Sequence, residues 1–358
     1  MLETNTNRQV DEAKLGEFVG KLVSDAATTL SSALVLIGDK LGLYKAMADN
    51  GPLDSAGLAR LTNTSERYIR EWLVNQASTG YIEYNPATGM YSLPPEQALA
   101  LTGENSPYYV IGLIQVVTAI MKADTRITEA FRTGAGMGWG EHDHNLFEGT
   151  ERLFRPGYIA NLVQNWLPAL DGVNDKLTKG AMVADVGCGY GASTIIMAKA
   201  YPNSRFTGFD FHGPSIERAR KAAEDAGLTG RVNFEVADST SYPGQDYDLI
   251  AFFDCFHDLP DPVATARHTY QALSPRGTAL VVEPMAGETV EANFNPVGSL
   301  FSAASTMCCT PNGLTGKGPA LGAIVTEKQL SEIFKTAGFS SFRRATETPF
   351  NRVFEARP

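Results

Sequence analysis

Three glycines at alternate positions, Gly187, Gly189 and Gly191, follow a carboxylate in the segment Val183-Ala184-Asp185-Val186-Gly187-Cys188-Gly189-Tyr190-Gly191. Glycine permits positive φ and close backbone approach, so this segment can turn from an apolar run into a helix opening at Ala192, with a ligand against the helix start. The G-x-G-x-G spacing differs from the G-x-G-x-x-G of dinucleotide loops. The acid two residues ahead suits a cationic ligand with an amino group, where a pyrophosphate would be repelled. Asp210 closes a second apolar run about twenty residues on, where a carboxylate can accept from both hydroxyls of a ribose. Asp238 closes a third, Val236-Ala237-Asp238, and offers an acceptor to an exocyclic adenine amine beside an apolar wall.

A further candidate stands just past the fourth run, in Phe256-His257-Asp258-Leu259-Pro260-Asp261. A neutral hydroxyl that attacks an electrophile must lose its proton, and histidine is the side chain suited to taking it near neutrality. The other reading of His257 is a helix-start histidine bonded to Asp254 or Asp258 for structure. Elsewhere, His142-Asp143-His144 carries ligand types for zinc or iron, but at i, i+2 it would need an extended segment and remote partners. Contact with a substrate or lid is the alternative there. Cys308-Cys309 reads as buried apolar thiols or as a site for a soft metalloid or thiol.

The elements that must position these residues follow from periodicity. From Ala181 onward, apolar runs of four to seven residues alternate with helical segments, which is the pattern of parallel strands with crossover helices. Strands are predicted at Met182–Val186, Arg205–Asp210, Val232–Val236, Leu249–Phe253, Ala279–Glu283, Ser341–Thr346 and Arg352–Ala356. The last two have only 347–351 between them and must pair as an antiparallel hairpin at the sheet end. Before the sheet, Leu15, Phe18, Val19 and Leu22, then Leu30, Leu34, Ile37 and Leu41, recur at helical spacing. Ser55–Leu61 and Ser65–Ala77, with Ser65 a candidate N-cap, form a helix-turn-helix. The runs 81–84 and 90–93 flank the turn Asn-Pro-Ala-Thr-Gly, completing a winged helix. Residues 104–175 read as a helical connector with a glycine-rich loop, and 284–326 as a lid or substrate wall. Residues 1–103, 104–175 and 176–358 are thus the expected domains. The fold class is α/β, a Rossmann-like seven-stranded sheet with an antiparallel last strand, preceded by a helical, winged-helix domain.

Through VADVGCGYG, the acid closing FTGFD, EVAD and the strand ending FFD, residues 176–358 resemble the class I methyltransferase superfamily. With the front domain, the chain is similar to small-molecule methyltransferases that dimerise through an N-terminal winged helix, in particular bacterial relatives of the plant-type O-methyltransferases. The resemblance implies S-adenosylmethionine as cofactor and S-adenosylhomocysteine as product, and no metal is expected. It carries cofactor contacts onto Asp185, Gly187, Gly189, Asp210, Asp238, Phe253 and Asp254, with Gly191, Phe211, Ala237 and Ser239 expected beside them. It makes His257 the general base with Asp258 beside it, and Glu283 in Val281-Val282-Glu283-Pro284 the acid that orients the imidazole. Leu259 stands where that family usually has Trp. Methyl transfer is an in-line displacement that asks the protein mainly to position the nucleophile. Two alternatives stay open: an N-, S- or C-methyltransferase in which His257 only shapes the pocket, and a cofactor-sensing winged-helix transcription regulator.

Composition narrows the partners. The 358 residues carry a net charge of −10, and affinity for nucleic acid needs clustered Lys and Arg. Within the winged helix Arg60, Arg67 and Arg70 are offset by Asp54, Glu66, Glu71 and Glu83, whereas Ile69, Trp72 and Leu73 suggest an apolar stripe for a second subunit. The expected partners are a small-molecule substrate and a second copy of the chain. The apolar stretch from Tyr108 to Met121 is about 14 residues against the roughly 20 a bilayer needs, so no membrane span is expected. The N-terminus lacks a secretory pattern and the four cysteines lack metal-ligand spacing, which predicts a cytoplasmic protein with reduced thiols.

Overall fold

The computed structural model describes residues 10–358, which divide into two units, one of residues 10–104 with 108–114 and the other of 105–107 with 115–358. In the first, the spacing that begins at Leu15 forms one continuous helix, Glu12–Lys40, capped by Asp11. Leu43–Asn50, Ser55–Thr62 and Glu66–Ser78 follow. Strands β1 (Glu83–Asn85) and β2 (Met90–Ser92) pair antiparallel as the wing. The core of this unit gathers Val35, Tyr44, Leu58, Leu73 and Ile82 around Trp72, whose indole N–H donates to the Leu34 carbonyl at 2.9 Å. Ser65 does occupy the N-cap position, but its hydroxyl makes no capping bond. Glu66 is instead held by Ser55 Oγ and Arg70.

By length and composition, one helix among the described residues could cross a membrane, Glu12–Lys40. The sequence reading considered only 108–121, because the apolar residues of the longer helix are spread at amphipathic spacing.

The second unit is built on seven strands: β3 (Met182–Val186), β4 (Arg205–Asp210), β5 (Val232–Val236), β6 (Tyr247–Phe253), β7 (Leu273–Pro284), β8 (Ser341–Glu347) and β9 (Asn351–Arg357). Their order is β5-β4-β3-β6-β7-β9-β8. All neighbours are parallel except those made by β9, which runs antiparallel to both β7 and β8. Both faces are covered, as a parallel sheet demands. Val183, Leu249, Ala251, Leu280, Val282 and Val353 pack into one core, and the alternating residues Ala184, Ile250, Phe252, Ala279, Val281 and Phe354 into the other.

Strand β7 begins six residues before its predicted start. Ser274-Pro275-Arg276-Gly277 reads as a turn, yet Leu273 pairs with Tyr247 and the ladder resumes at Thr278 opposite Leu249 after a bulge. The connector is helical (Asp124–Thr133 and Asn145–Asn161), and the 284–326 insertion, where no element was predicted, contains Pro296–Ala304, a π-turn at Ser305–Cys309 and Thr310–Gly313. The strand order reverses at β3, which is paired on one side to β4 and on the other to β6. Ligands bind open parallel sheets at such a reversal, beyond the carboxyl ends of the strands.

Candidate active site

The loop after β3 divides the labour of its glycines. All three have positive φ, +76° at Gly187, +52° at Gly189 and +81° at Gly191. A Cβ on Gly187 would lie 2.6 Å from Cys255 Sγ, and one on Gly191 would lie 2.5 Å from the Phe234 ring. These two serve packing. A Cβ on Gly189 would meet nothing within 4 Å, so Gly189 is the glycine that leaves room for a ligand. Asp185 stands behind the loop, fully buried; its Oδ2 accepts from Ser193 and Thr194 hydroxyls, each at 2.6 Å, while Oδ1 has no partner. Burial pushes its pKa up to about 6.

At the end of β4, Asp210 accepts from Gly189 N–H at 2.9 Å on one oxygen and from His212 N–H at 2.8 Å on the other. Each oxygen keeps a second lone-pair direction, as two ribose hydroxyls require. Past β5, one Asp238 oxygen accepts from the Thr240 N–H and hydroxyl, and Ser239 turns its hydroxyl to Thr265. Past β6, Asp254 adopts a left-handed φ of +53°. Its carboxylate is held from both sides, by the Tyr158 hydroxyl at 3.0 Å and Asn351 Nδ2 at 2.7 Å. Burial, then the nearby Glu283 charge, pushes its pKa up to about 8.

His257 and Glu283 meet as the sequence reading required. Glu283, fully buried at the end of β7, accepts from His257 Nδ1 at 2.9 Å and from the His257 backbone N–H at 3.3 Å. Glu283 thereby takes the Nδ1 edge of the ring, and Cys309, on the π-turn, is the next neighbour that favours its charge. Burial opposes a charge on the ring, but Glu283 and then Cys309 outweigh it and raise the pKa well above the usual imidazole value. Asp258, whose pKa burial pushes up to about 7, is fixed through its carbonyl, which accepts from Asn312 Nδ2 at 2.8 Å.

These residues surround a cavity of about 360 Å³. Gly187, Gly189, Asp210, Phe211, Ala237, Asp238, Ser239, Phe253, Asp254 and Asp258 line it. Asp185, Gly191, His257 and Glu283 stand one layer behind. The connector adds Trp139, Phe147, Glu151 and Tyr158, and the insertion adds Asn312 and Thr315. Asn312 also accepts the Trp139 N–H at 2.8 Å, so one buried amide joins the connector loop to the turn carrying Asp258. Sequence reasoning singled out neither Asn312 nor Asn351, and left Cys309 open between a buried thiol and a site for a soft metalloid or thiol.

The His142-Asp143-His144 cluster does not converge: His142 is buried with both ring nitrogens unpartnered, His144 is exposed, and Asp143 is taken by Lys122 at 2.7 Å. The unpartnered Asp185 oxygen, the open face of Gly189 and the half-used carboxylate of Asp210 fit a nucleoside carrying a cationic amino-acid tail.

Residues 177–338 match the family model described as a methyltransferase domain, and residues 27–103 the one described as an Rv2258c-like winged HTH domain. The chain is similar to the trans-aconitate 2-methyltransferase of Streptomyces avermitilis, 37% identical over 102 residues that make up 27% of this chain and 37% of that protein. It is also similar to the 27-O-demethylrifamycin SV methyltransferase of Amycolatopsis mediterranei, 30% identical over 141 residues, 39% of this chain and 46% of that one. The chain thus spans under half the length of these two curated relatives. The fold extends further: human N-acetylserotonin methyltransferase, in complex with S-adenosylmethionine, superposes with a TM-score of 0.71 at 18% identity, covering 99% of both chains. Mitomycin 7-O-methyltransferase gives 0.70 at 20% identity, covering 97% of this chain and 99% of its own. The methyltransferase model lies over strands β3 to β7 and the glycine loop, so residues 177–338 form a methyltransferase domain, and the winged-helix model lies over residues 27–103 before it.

Proposed function

We propose that the protein transfers a methyl group from S-adenosylmethionine to a small molecule, and that the atom methylated is oxygen. The observation that carries the reading is the cavity at the strand-order reversal, where Gly189, Asp210 and Asp238 meet beside the half-partnered Asp185. When bound, the cofactor supplies an electrophilic methyl on a sulfonium. Asp210 would take the ribose hydroxyls, Asp238 the adenine amine, and the Asp185 side of the loop the amino group. His257, oriented by Glu283, is the base for the acceptor hydroxyl. To act, its ring must be neutral; a cation brought into the cavity favours the neutral ring. Asp258, unlike His257, lines the cavity itself.

The buried position of His257 and its raised pKa give a second reading a specific footing, transfer to nitrogen, sulfur or carbon with no protein base. A role in reading DNA has less support, since Arg67 and Arg70 are paired with Glu71 and Glu66 on their own helix. Free thiols at all four cysteines fit a cytoplasmic setting.

The test supplies methyl-labelled S-adenosylmethionine and a metabolite extract to the purified protein and follows label by mass spectrometry. Label on a small-molecule oxygen is expected, with His257→Gln lowering turnover by about a hundredfold or more while S-adenosylhomocysteine affinity holds. Full turnover in His257→Gln with loss in Asp258→Asn would move the base to Asp258. Full turnover in both would remove the base altogether and favour the second reading.

A further inference from the structure

The last strand reaches back into the site. β9 opens at Asn351, whose side chain is 9% exposed and donates to Asp254 Oδ1 at 2.7 Å. The next residue, Arg352, has no exposed surface and sits directly opposite Glu283 of β7 in the antiparallel register. Successive strand residues point to opposite faces: Val353 packs in the core shared with Tyr158, and Phe354 in the one shared with Phe256. Asn351 and Arg352 therefore serve different sides of the sheet. Arg352 spends Nε on the Pro284 carbonyl and Nη2 on that of Val325, both at 2.9 Å, and Nη1 has no acceptor.

A guanidinium buried this way is costly unless opposite charge stands near. Glu283 is the acid across the strand pair, and its attraction is the largest favourable influence on the Arg352 charge. In a dry interior such attraction carries beyond direct contact.

We propose that Asn351 and Arg352 are positioning residues for two different acids: Asn351 sets Asp254 beside the cofactor, and Arg352 sets Glu283 and, through it, the ring of His257. The Asn351 half rests on the cofactor reading above; the Arg352 half does not.

Two readouts separate the two halves in the full-length protein: S-adenosylhomocysteine affinity by calorimetry, and the downfield proton resonance of the carboxylate-bound His257 N–H, assigned by its loss in His257→Gln. Asn351→Leu is expected to weaken S-adenosylhomocysteine by about fivefold or more and to leave the imidazole signal in place. Arg352→Met is expected to shift or broaden that signal and to leave affinity within about twofold, with Arg352→Lys, which keeps the charge, retaining the signal. A general packing role would move both readouts in each variant, and that result, or no movement in either, overturns the proposal. If Arg352→Met does not fold, Arg352→Gln takes its place, and an unshifted signal there overturns the Arg352 half. Wild-type protein that fails to bind S-adenosylhomocysteine would count against the cofactor reading, leaving the resonance to decide the role of Arg352.

Discussion

At Asp254 three demands fall on one residue: a left-handed backbone, donors on both carboxylate oxygens, and burial that lifts the pKa to about 8. An acid whose folded pKa lies above its unfolded one adds stability that is complete below the unfolded value and is lost as pH rises through the folded value. Asp185 and Asp258 act in the same direction, up to about 6 and about 7. The ligand-free protein should therefore melt at falling temperature from about pH 4 to about pH 8.5. Asp254→Asn, which tolerates the left-handed backbone and does not titrate, should flatten the upper part of that fall. Calorimetric melts with equal slopes in the two proteins would show that Asp254 is already charged at neutrality.

Among the elements, the helix Glu12–Lys40 is the least satisfied. Leu15, Phe18 and Leu22 each keep more than half of their surface exposed, and Leu34, Ile37, Leu41, Tyr68 and Trp72 line an apolar groove in the same unit. Soluble monomers rarely present such a stripe, and a second copy of the chain is the occupant we propose. Sedimentation equilibrium should find a dimer that the double change Phe18→Asp, Leu22→Asp dissociates. A wild-type monomer at micromolar concentration would contradict this.

The elements also mark how far the sequence could be read. Arg205–Asp210 was legible to the residue, because an apolar run closed by an acid marks its own boundary, and so was Val232–Val236, which stops two residues before Asp238. The start of β7 was hidden by Ser274-Pro275-Arg276-Gly277, whose turn composition is overridden by a bulge in the ladder. The acids at strand ends were legible because parallel strands deliver their carboxyl ends to one edge. Asn312 was not, since it arrives from an insertion with neither period nor motif, and Asn351 acts through an antiparallel register that only the assembled sheet defines.

For the whole molecule, the sheet order explains why residues from Gly187 to Asp258 line one cavity: the reversal at β3 opens a crevice, and Asn351 of β9 bonds to its Asp254 from the far end of the chain. The connector and the insertion complete the wall, joined through Asn312, and we propose that they set the choice of acceptor. Each of these residue roles depends on cofactor binding. Titration calorimetry of S-adenosylmethionine into the full-length protein and into Asp210→Ala tests it most directly. Saturable binding at one site per chain is expected, weakened by about tenfold or more when Asp210 is removed, with the melting transition still cooperative. No binding at millimolar ligand, or equal binding by the two proteins, would contradict it.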